Sequence, residues 1–219
     1  MSLKNAYLEA AAQAVALLDA PEVAASWEKP SALAQWTVGG PAVGHLAYRI
    51  FSVGPALEGP GSEQDPISVR EHYARAVWID APLDGEISSG MRAKGEGISS
   101  EGEGEGEGVR RMVERVRAAL DQQRTGLEEV PGDWVVVFMP QTGWVLSLDD
   151  FLVTRMVELA VHMDDLAVSV GLGAPELPGS ALDPVIALLA GLAVRRHGRA
   201  AVLRGLTRAE RAPAVINVF

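Results

Sequence analysis

The sequence predicts a mainly α-helical protein, a bundle with long connections and an additional helix near the C-terminus. Three observations lead to this fold class. Apolar residues recur at spacings of three and four in several long segments. Strand-forming runs are confined to one short region in the second half of the chain. Strands and helices do not alternate along the chain, so nothing predicts a parallel sheet with crossover helices.

The first half of the chain is predicted to contribute two bundle helices. Residues 3–19 are rich in Ala, Leu and Glu, with apolar residues at helical spacing, and Pro21 lies just beyond, where a helix stops. A second helix is predicted over 41–53, with a proline at its first position. Weaker signals predict a short helical piece in 22–36, a proline- and glycine-rich loop over 54–69 and a helix start in 70–80.

A stretch rich in glycine and glutamate separates the two halves. Residues 90–108 read GMRAKGEGISSEGEGEGEG, which offers no apolar face for a packed strand. The stretch also lacks the aspartates of a calcium-binding glycine repeat. It is therefore predicted to be a solvated, flexible connection. The segment 109–127 follows as a long amphipathic helix.

The second half begins with two β-prone runs in 134–147, which predict a small hairpin before the last bundle helix. That helix is predicted to start after Ser147 as N-cap and to run to Val170, where glycines stop it. A further helix is predicted over 181–197, followed by a mixed tail with an apolar end that docks. These elements predict a bundle over residues 1–172 and a C-terminal helical extension, packed on it, over 173–219.

Composition limits the chemistry. The formal charge of −10 argues against nucleic acid and against anionic membrane surfaces as main partners. The chain has no cysteine, so disulfides, thiolate metal sites and a cysteine nucleophile are excluded. Any metal must be held by His, Asp or Glu. No signal-peptide-like start and no run of about 18 apolar residues occur, so we expect a soluble, cytoplasmic protein.

The helix predicted from 148 to 170 carries a polar stripe on an otherwise apolar surface. Apolar side chains cover more than half of its circumference, as expected for a central helix. Thr154, Glu158, His162 and Asp165 form the stripe. Glu158 and His162 lie four residues apart and therefore on one helix face. The pair is either a hydrogen-bonded surface pair or two ligands of a metal site, because a buried carboxylate must be paired, protonated or metal-bound.

The other histidines shift the balance between these interpretations. His197 lies at a basic helix end and His72 near a helix start, so both are expected to be solvated. His45 lies inside the apolar helix 41–53 and, taken alone, is best explained as a core histidine. If His45 faces Glu158 and His162, the three form an N/O site with an open fourth position, as in catalytic zinc sites. Arg49, four residues after His45, is expected to be a surface charge.

Two segments carry a resemblance to a known family. PSALAQWTVGGPAVGHLAYRI and DDFLVTRMVELAVHMDDLAVSVG resemble the signature segments of the mycothiol-dependent maleylpyruvate isomerase N-terminal family, within the DinB/YfiT-like superfamily. The resemblance covers about residues 5–172. It implies a four-helix bundle with a divalent metal held by His45, Glu158 and His162. Zinc is the first expectation, with nickel or iron as alternatives, and mycothiol or a similar thiol is the implied cosubstrate.

The resemblance implies that the metal activates the thiol for transfer or for cis–trans isomerisation of a small substrate. In the isomerase, mycothiol adds to a cis double bond, rotation follows and elimination leaves the trans product. Asp165 could orient a metal ligand, although a solvated helix residue is the simpler interpretation. No catalytic residue is assigned. A metal-dependent hydrolase and a non-enzymatic binding or stress protein stay open as alternatives, as does a homodimer.

Overall fold

The protein, described here from a computed structural model, is mainly α-helical, which confirms the predicted fold class. The described residues are 2–59, 61–82, 84–100, 107–131, 134–137 and 142–219. Their helices are α1 (Leu3–Leu18), α2 (Pro21–Ala25), α3 (Val43–Phe51), α4 (Val53–Glu58), α5 (Val69–Ala74), α6 (Glu86–Ser100), α7 (Glu107–Glu129), α8 (Leu148–Val170), α9 (Gly179–His197) and α10 (Arg199–Thr207).

Four of these helices form the bundle. Helices α1, α8, α3 and α7 pack in a ring, each against the next, and α7 closes the ring on α1. A buried polar network joins three of them. The Tyr7 hydroxyl of α1 donates to Gln123 Oε1 of α7 (2.6 Å), and Gln123 Nε2 donates to the carbonyl of Ile50 in α3 (2.7 Å). Each buried polar group of this network therefore has a partner, as buried groups require.

Helix α8 is the central element, and its ends lie where the sequence predicts them. Ser147 is the N-cap, because its Oγ accepts a hydrogen bond from the backbone N–H of Asp150 (3.1 Å). Gly171 ends the helix with a φ of 75°, a left-handed conformation that favours glycine. Helix α8 packs against α1, α3 and α9, which explains why apolar side chains cover most of its surface.

Helix α6 corrects the prediction for residues 90–108. Residues 90–100 belong to this helix rather than to a connection, α7 begins at Glu107, and 101–106 lie outside the described residues. The buried positions of α6 are small residues, Ser88, Gly95 and Ser99. Their spacings of seven and four place them on one helix face. The pattern has no apolar periodicity because α6 packs through backbone and small side chains against α3.

Other boundaries also differ from expectation. The predicted loop over 54–69 begins with helix α4, and the helix start predicted in 70–80 is the short α5, Val69–Ala74. A π-helical turn, Val38–Ala42, precedes α3, so the helix predicted over 41–53 begins within this turn. The predicted hairpin has two strands, β1 (Val135–Val137) and β2 (Val145–Ser147), which pair antiparallel. Of the connection between them, residues 138–141 lie outside the described residues.

The segment after the bundle packs on it through α9. Four of its apolar residues are buried in the same hydrophobic cluster as the bundle helices: Ala181, Val185, Leu188 and Leu192. The tail is held against the end of α9, where Arg196 Nη1 donates to the carbonyl of Val218 (3.0 Å). Within the described residues, none of the helices combines the length and the apolar character needed to cross a bilayer.

Candidate metal centre

The structure brings the three predicted ligands together. His45 comes from α3, and Glu158 and His162 come from α8. Each offers one ligand atom, and these atoms all lie within 4.8 Å of one another. The rings of His45 and His162 meet edge to face, with their centroids 4.5 Å apart. Among the described residues, His45, Glu158 and His162 form the group of His, Asp and Glu side chains that are close enough together to hold a metal ion.

Helix geometry explains the convergence. The four-residue spacing places Glu158 and His162 one turn apart on the same face of α8. Because α3 packs directly on α8, His45 is brought across from them. His162 Nε2 lies 3.4 Å from Glu158 Oε2. The cluster is thus built from side chains on two packed helices, which restricts their movement more than a loop would.

Asp165 contacts the cluster through His162. The Asp165 Oδ2 lies 3.1 Å from His162 Nδ1, which donates to it. This contact fixes the ring so that Nε2 faces Glu158. Ser169 Oγ donates to the backbone carbonyl of Asp165 (2.5 Å) and accepts from the backbone N–H of Ala32 (2.8 Å). Asp165 thus lies directly beside a candidate ligand, and its orienting role stays a prediction. The loop that contains Ala32 is hydrogen-bonded, through Ser169, to the same turn.

Arg49 corrects the expectation of a surface charge. Its Nη2 forms an ion pair with Glu158 Oε2 at 2.8 Å and donates a hydrogen bond to His45 Nε2. The side chains of Arg49 and Glu158 are only 12% and 15% exposed. Two signals in the sequence could have indicated this: Arg49 lies one helical turn after His45, and a buried Glu158 needs a counter-charge.

The protonation states follow from this surrounding. Burial, and then the charge of Arg49, lower the pKa of His45 to about 2, so its imidazole is neutral. Burial alone would raise the pKa of Glu158, but Arg49, His162 and Arg155 hold it well below its usual range. Burial acts to lower the pKa of His162, yet its hydrogen bonds to Asp165 and Glu158 raise it. Glu158 is therefore an ionised carboxylate at neutral pH.

Arg155 is a second cation that the sequence did not single out. It is 2% exposed, and its Nη1 donates to Ser52 Oγ (3.1 Å) while its Nε donates to Thr154 Oγ1 (3.2 Å). Burial, followed by repulsion from Arg49, lowers the pKa of its guanidinium to about 10. Thr154, the first residue of the polar stripe, is therefore an interior contact of Arg155 rather than a solvated residue.

The remaining histidines lie elsewhere. His72 was expected to be solvated, but it is buried, and its Nδ1 accepts a hydrogen bond from Trp144 Nε1 (3.0 Å). His197 lies at the end of α9, where its Nε2 donates to the carbonyl of Asn217 (2.7 Å). The metal-capable group contains neither of them. The wrong expectation for His72 arose in part because one of the aromatic residues packed around it, Trp144, is distant in sequence.

The donor set fits a divalent metal. Two imidazoles and one carboxylate are the ligand types of catalytic zinc sites, which combine three protein ligands with an open position. The rings of Trp36 and His45 meet edge to face, with 5.3 Å between their centroids. The preceding residue, Gln35, has a φ of 67°, a left-handed backbone that a non-glycine residue seldom adopts. The chain between α2 and α3 thus forms part of the surroundings of the cluster.

Comparison with models of known protein families gives a match. The family model described as mycothiol maleylpyruvate isomerase N-terminal domain matches residues 7–167, well over half of the chain. A comparison with curated proteins and another with solved structures each found no match. The matched range includes all three residues of the cluster together with Arg49 and Asp165. The chain therefore belongs to the mycothiol maleylpyruvate isomerase N-terminal domain family.

Proposed function

We propose that this protein is a metal-dependent enzyme that activates a low-molecular-weight thiol of the mycothiol type for transfer to, or cis–trans isomerisation of, a small substrate. The observation that carries the proposal is the convergence of His45, Glu158 and His162, whose ligand atoms lie within 4.8 Å of one another. Membership of the family supports the thiol and the substrate class. The chain itself has no cysteine, so the thiol must come from a cosubstrate.

The residues of the cluster would have different roles in binding the metal. His45, neutral because it is buried, and the carboxylate of Glu158 would offer lone pairs to the metal. His162 would offer Nε2, which Asp165 orients through its bond to Nδ1. A bound divalent metal would act as a Lewis acid that lowers the pKa of a thiol, and zinc is the first candidate. The packed helices would hold these donors in place.

A second candidate is a binding protein that keeps the bundle without a metal. The ion pair between Arg49 and Glu158 favours it, because the guanidinium already supplies a positive charge to the carboxylate at 2.8 Å. Direct contact of His162 with Glu158 at 3.4 Å points the same way. The two candidates differ in one measurable respect, which is whether the purified protein retains a metal.

The deciding experiment is elemental analysis of the purified protein before and after reconstitution with zinc. We expect about one equivalent of metal per chain in the wild type, as a three-ligand site implies. Glu158→Gln should lose it, since the amide is a poor ligand of nearly the same shape. The matched control is Asp164→Asn, an exposed carboxylate on the same helix, which should retain the metal. A wild type that stays metal-free in excess zinc would overturn the metal-dependent proposal and favour the binding protein.

The thiol is tested separately on cobalt-substituted protein. Addition of mycothiol should produce the intense near-ultraviolet band of a thiolate bound to Co²⁺, because thiolates are strong ligands of such ions. A serine-containing analogue of the thiol, which carries a hydroxyl instead, is the control and should produce no such band. Metal without any thiolate band would instead favour the hydrolase alternative, in which water is the activated group.

A further inference from the structure

Arg49 contacts two of the three candidate ligands through one atom. Its Nη2 forms the 2.8 Å ion pair with Glu158 Oε2 and also donates to His45 Nε2. Since Arg49 and His45 are one turn apart on α3, the guanidinium contacts the edge of the imidazole at Nε2 and also reaches the carboxylate on α8. A positive group therefore lies among the side chains from which a metal would be bound.

A hydrogen bond and a metal compete for the same electrons on His45. A neutral imidazole has one in-plane lone pair, on the nitrogen without the proton. That lone pair on Nε2 can accept a hydrogen from Arg49 or bind a cation, but it cannot do both. Glu158 has two oxygens and is less restricted, yet its ion pair with Arg49 also offsets part of the attraction that it would exert on a metal.

The hydrogen-bond donors of Arg49 are also incompletely satisfied. Its Nε is buried and has no hydrogen-bond partner among the described residues. Its charge repels the buried guanidinium of Arg155. A structural ion pair that had only to hold the fold would be expected to satisfy its donors fully. The side chain keeps some contact with solvent, so movement of the guanidinium away from His45 does not require the helices to separate.

We propose that Arg49 is an internal competitor for the metal: its guanidinium holds His45 and Glu158 in the metal-free protein and must leave His45 Nε2 before a divalent cation can bind. Arg49 then limits the affinity of the centre and keeps the ligands arranged when no metal is present. This inference rests on the proposed metal-binding function. It makes Arg49 a positioning residue for the metal rather than a catalytic one.

The test compares zinc affinities measured by competition with a chromogenic chelator. Arg49→Met keeps the apolar stem and removes the charge, so its Kd for zinc should be lower than that of the wild type by about tenfold or more, the scale of a charge-assisted hydrogen bond. Arg75→Ala is the matched control. Arg75 also pairs with a glutamate at 2.8 Å, but on the surface and with none of the three candidate ligands, and its removal should leave the Kd unchanged.

Thermal unfolding gives a readout that is independent of activity. Without metal, Arg49→Met should melt below the wild type because Glu158 loses its counter-charge, and zinc should raise its Tm by more than it raises that of the wild type. If Arg49→Met does not fold, Arg49→Lys serves, since a shorter, single-point cation should give an intermediate Kd. Equal or weaker zinc binding by the folded variants would overturn the inference and leave the proposed function standing. Failure of the wild type and all variants to bind zinc would overturn the proposed function itself.

Discussion

His72 is a buried histidine that the metal cluster does not use. Its exposed fraction is 1%, and the rings of Tyr73, Trp78 and Trp144 surround it. Burial, and then the charge of Arg155, lower its pKa from 6.5 to about 4, while Glu158 opposes the shift. The imidazole is therefore neutral in the fold at neutral pH, and its Nδ1 accepts from Trp144 Nε1 at 3.0 Å.

The shift predicts a loss of stability in mild acid. Below pH 6.5 the unfolded chain binds a proton at His72 that the folded chain does not, until the pH reaches about 4. The free energy of unfolding should therefore fall by about 3 kcal/mol across this window on account of this group. His72→Gln keeps an acceptor for Trp144 but cannot titrate, so its stability should fall less steeply than that of the wild type.

Urea denaturation at several pH values between 4 and 7, with a chelator present to exclude metal effects, measures the difference. His197→Gln, which makes the same substitution at the end of α9, is the matched control. Parallel curves for His72→Gln and the wild type would show that His72 is not the group responsible.

Some residues of the site could be predicted from the sequence, and others could not. His45, Glu158 and His162 could be found because helical spacing and the two signature segments place them, and the structure brings them together. Arg49 and Arg155 were missed because both act through long side chains whose reach depends on how α3 and α8 pack. A spacing rule predicts the face of a helix, but it does not predict which distant group a flexible guanidinium will meet.

At the level of secondary structure, the contact between α3 and α6 depends on glycine. A β-carbon built on Gly44 would overlap the backbone carbonyl oxygen of Gly95 and lie 2.6 Å from Ser99 Oγ. Ser99 Oγ of α6 also donates a hydrogen bond to the carbonyl of Gly40, in the turn that precedes α3 (2.7 Å). The two helices therefore approach so closely that no side chain fits between them at Gly44, just before His45.

A pair of glycine substitutions tests this contact. Gly44→Ala should destabilise the protein by about 2 kcal/mol or more, because the added methyl group forces α6 away from α3. Gly97→Ala is the matched control on α6, since a β-carbon there meets nothing within 4 Å. It should stabilise the helix by up to about 1 kcal/mol, the usual gain of alanine over glycine. Chemical denaturation of both variants measures the difference, and equal effects would contradict the close packing.

The same elements explain the limits of sequence reasoning about the fold. Helix α8 was predicted with its true ends because an N-cap serine and a left-handed glycine are local signals. Helix α6 was missed because its packed face consists of Gly and Ser, which apolar periodicity does not detect. Helix α4 was missed because proline and glycine content predicted a loop, yet Gly54 and Pro55 both lie in the first turn of this short helix, where proline is tolerated.

On the scale of the whole molecule, one hydrophobic cluster extends from the bundle into the segment after residue 172. Helix α9 packs against both α1 and α8, and its buried residues belong to the cluster that contains the core of the bundle. Helix α10 differs, since Leu203 and Leu206 on it are 65% and 67% exposed. The division into a bundle over 1–172 and an extension over 173–219 stays a prediction, but the packing of α9 predicts that the two unfold together.

Two leucines in this segment test that expectation. Leu188 on α9 is 4% exposed, whereas Leu203 on α10 is 65% exposed, so the same change to alanine meets very different surroundings. Leu188→Ala should lower the free energy of unfolding by about 2–5 kcal/mol through a lost contact and a cavity in the shared core. Leu203→Ala should change it by less than about 0.5 kcal/mol. Calorimetry should show a single transition that Leu188→Ala moves as a whole, because α9 shares its core with α1 and α8. A second transition, with only one of the two shifted by Leu188→Ala, would instead mean that the extension unfolds independently of the bundle that holds the metal cluster.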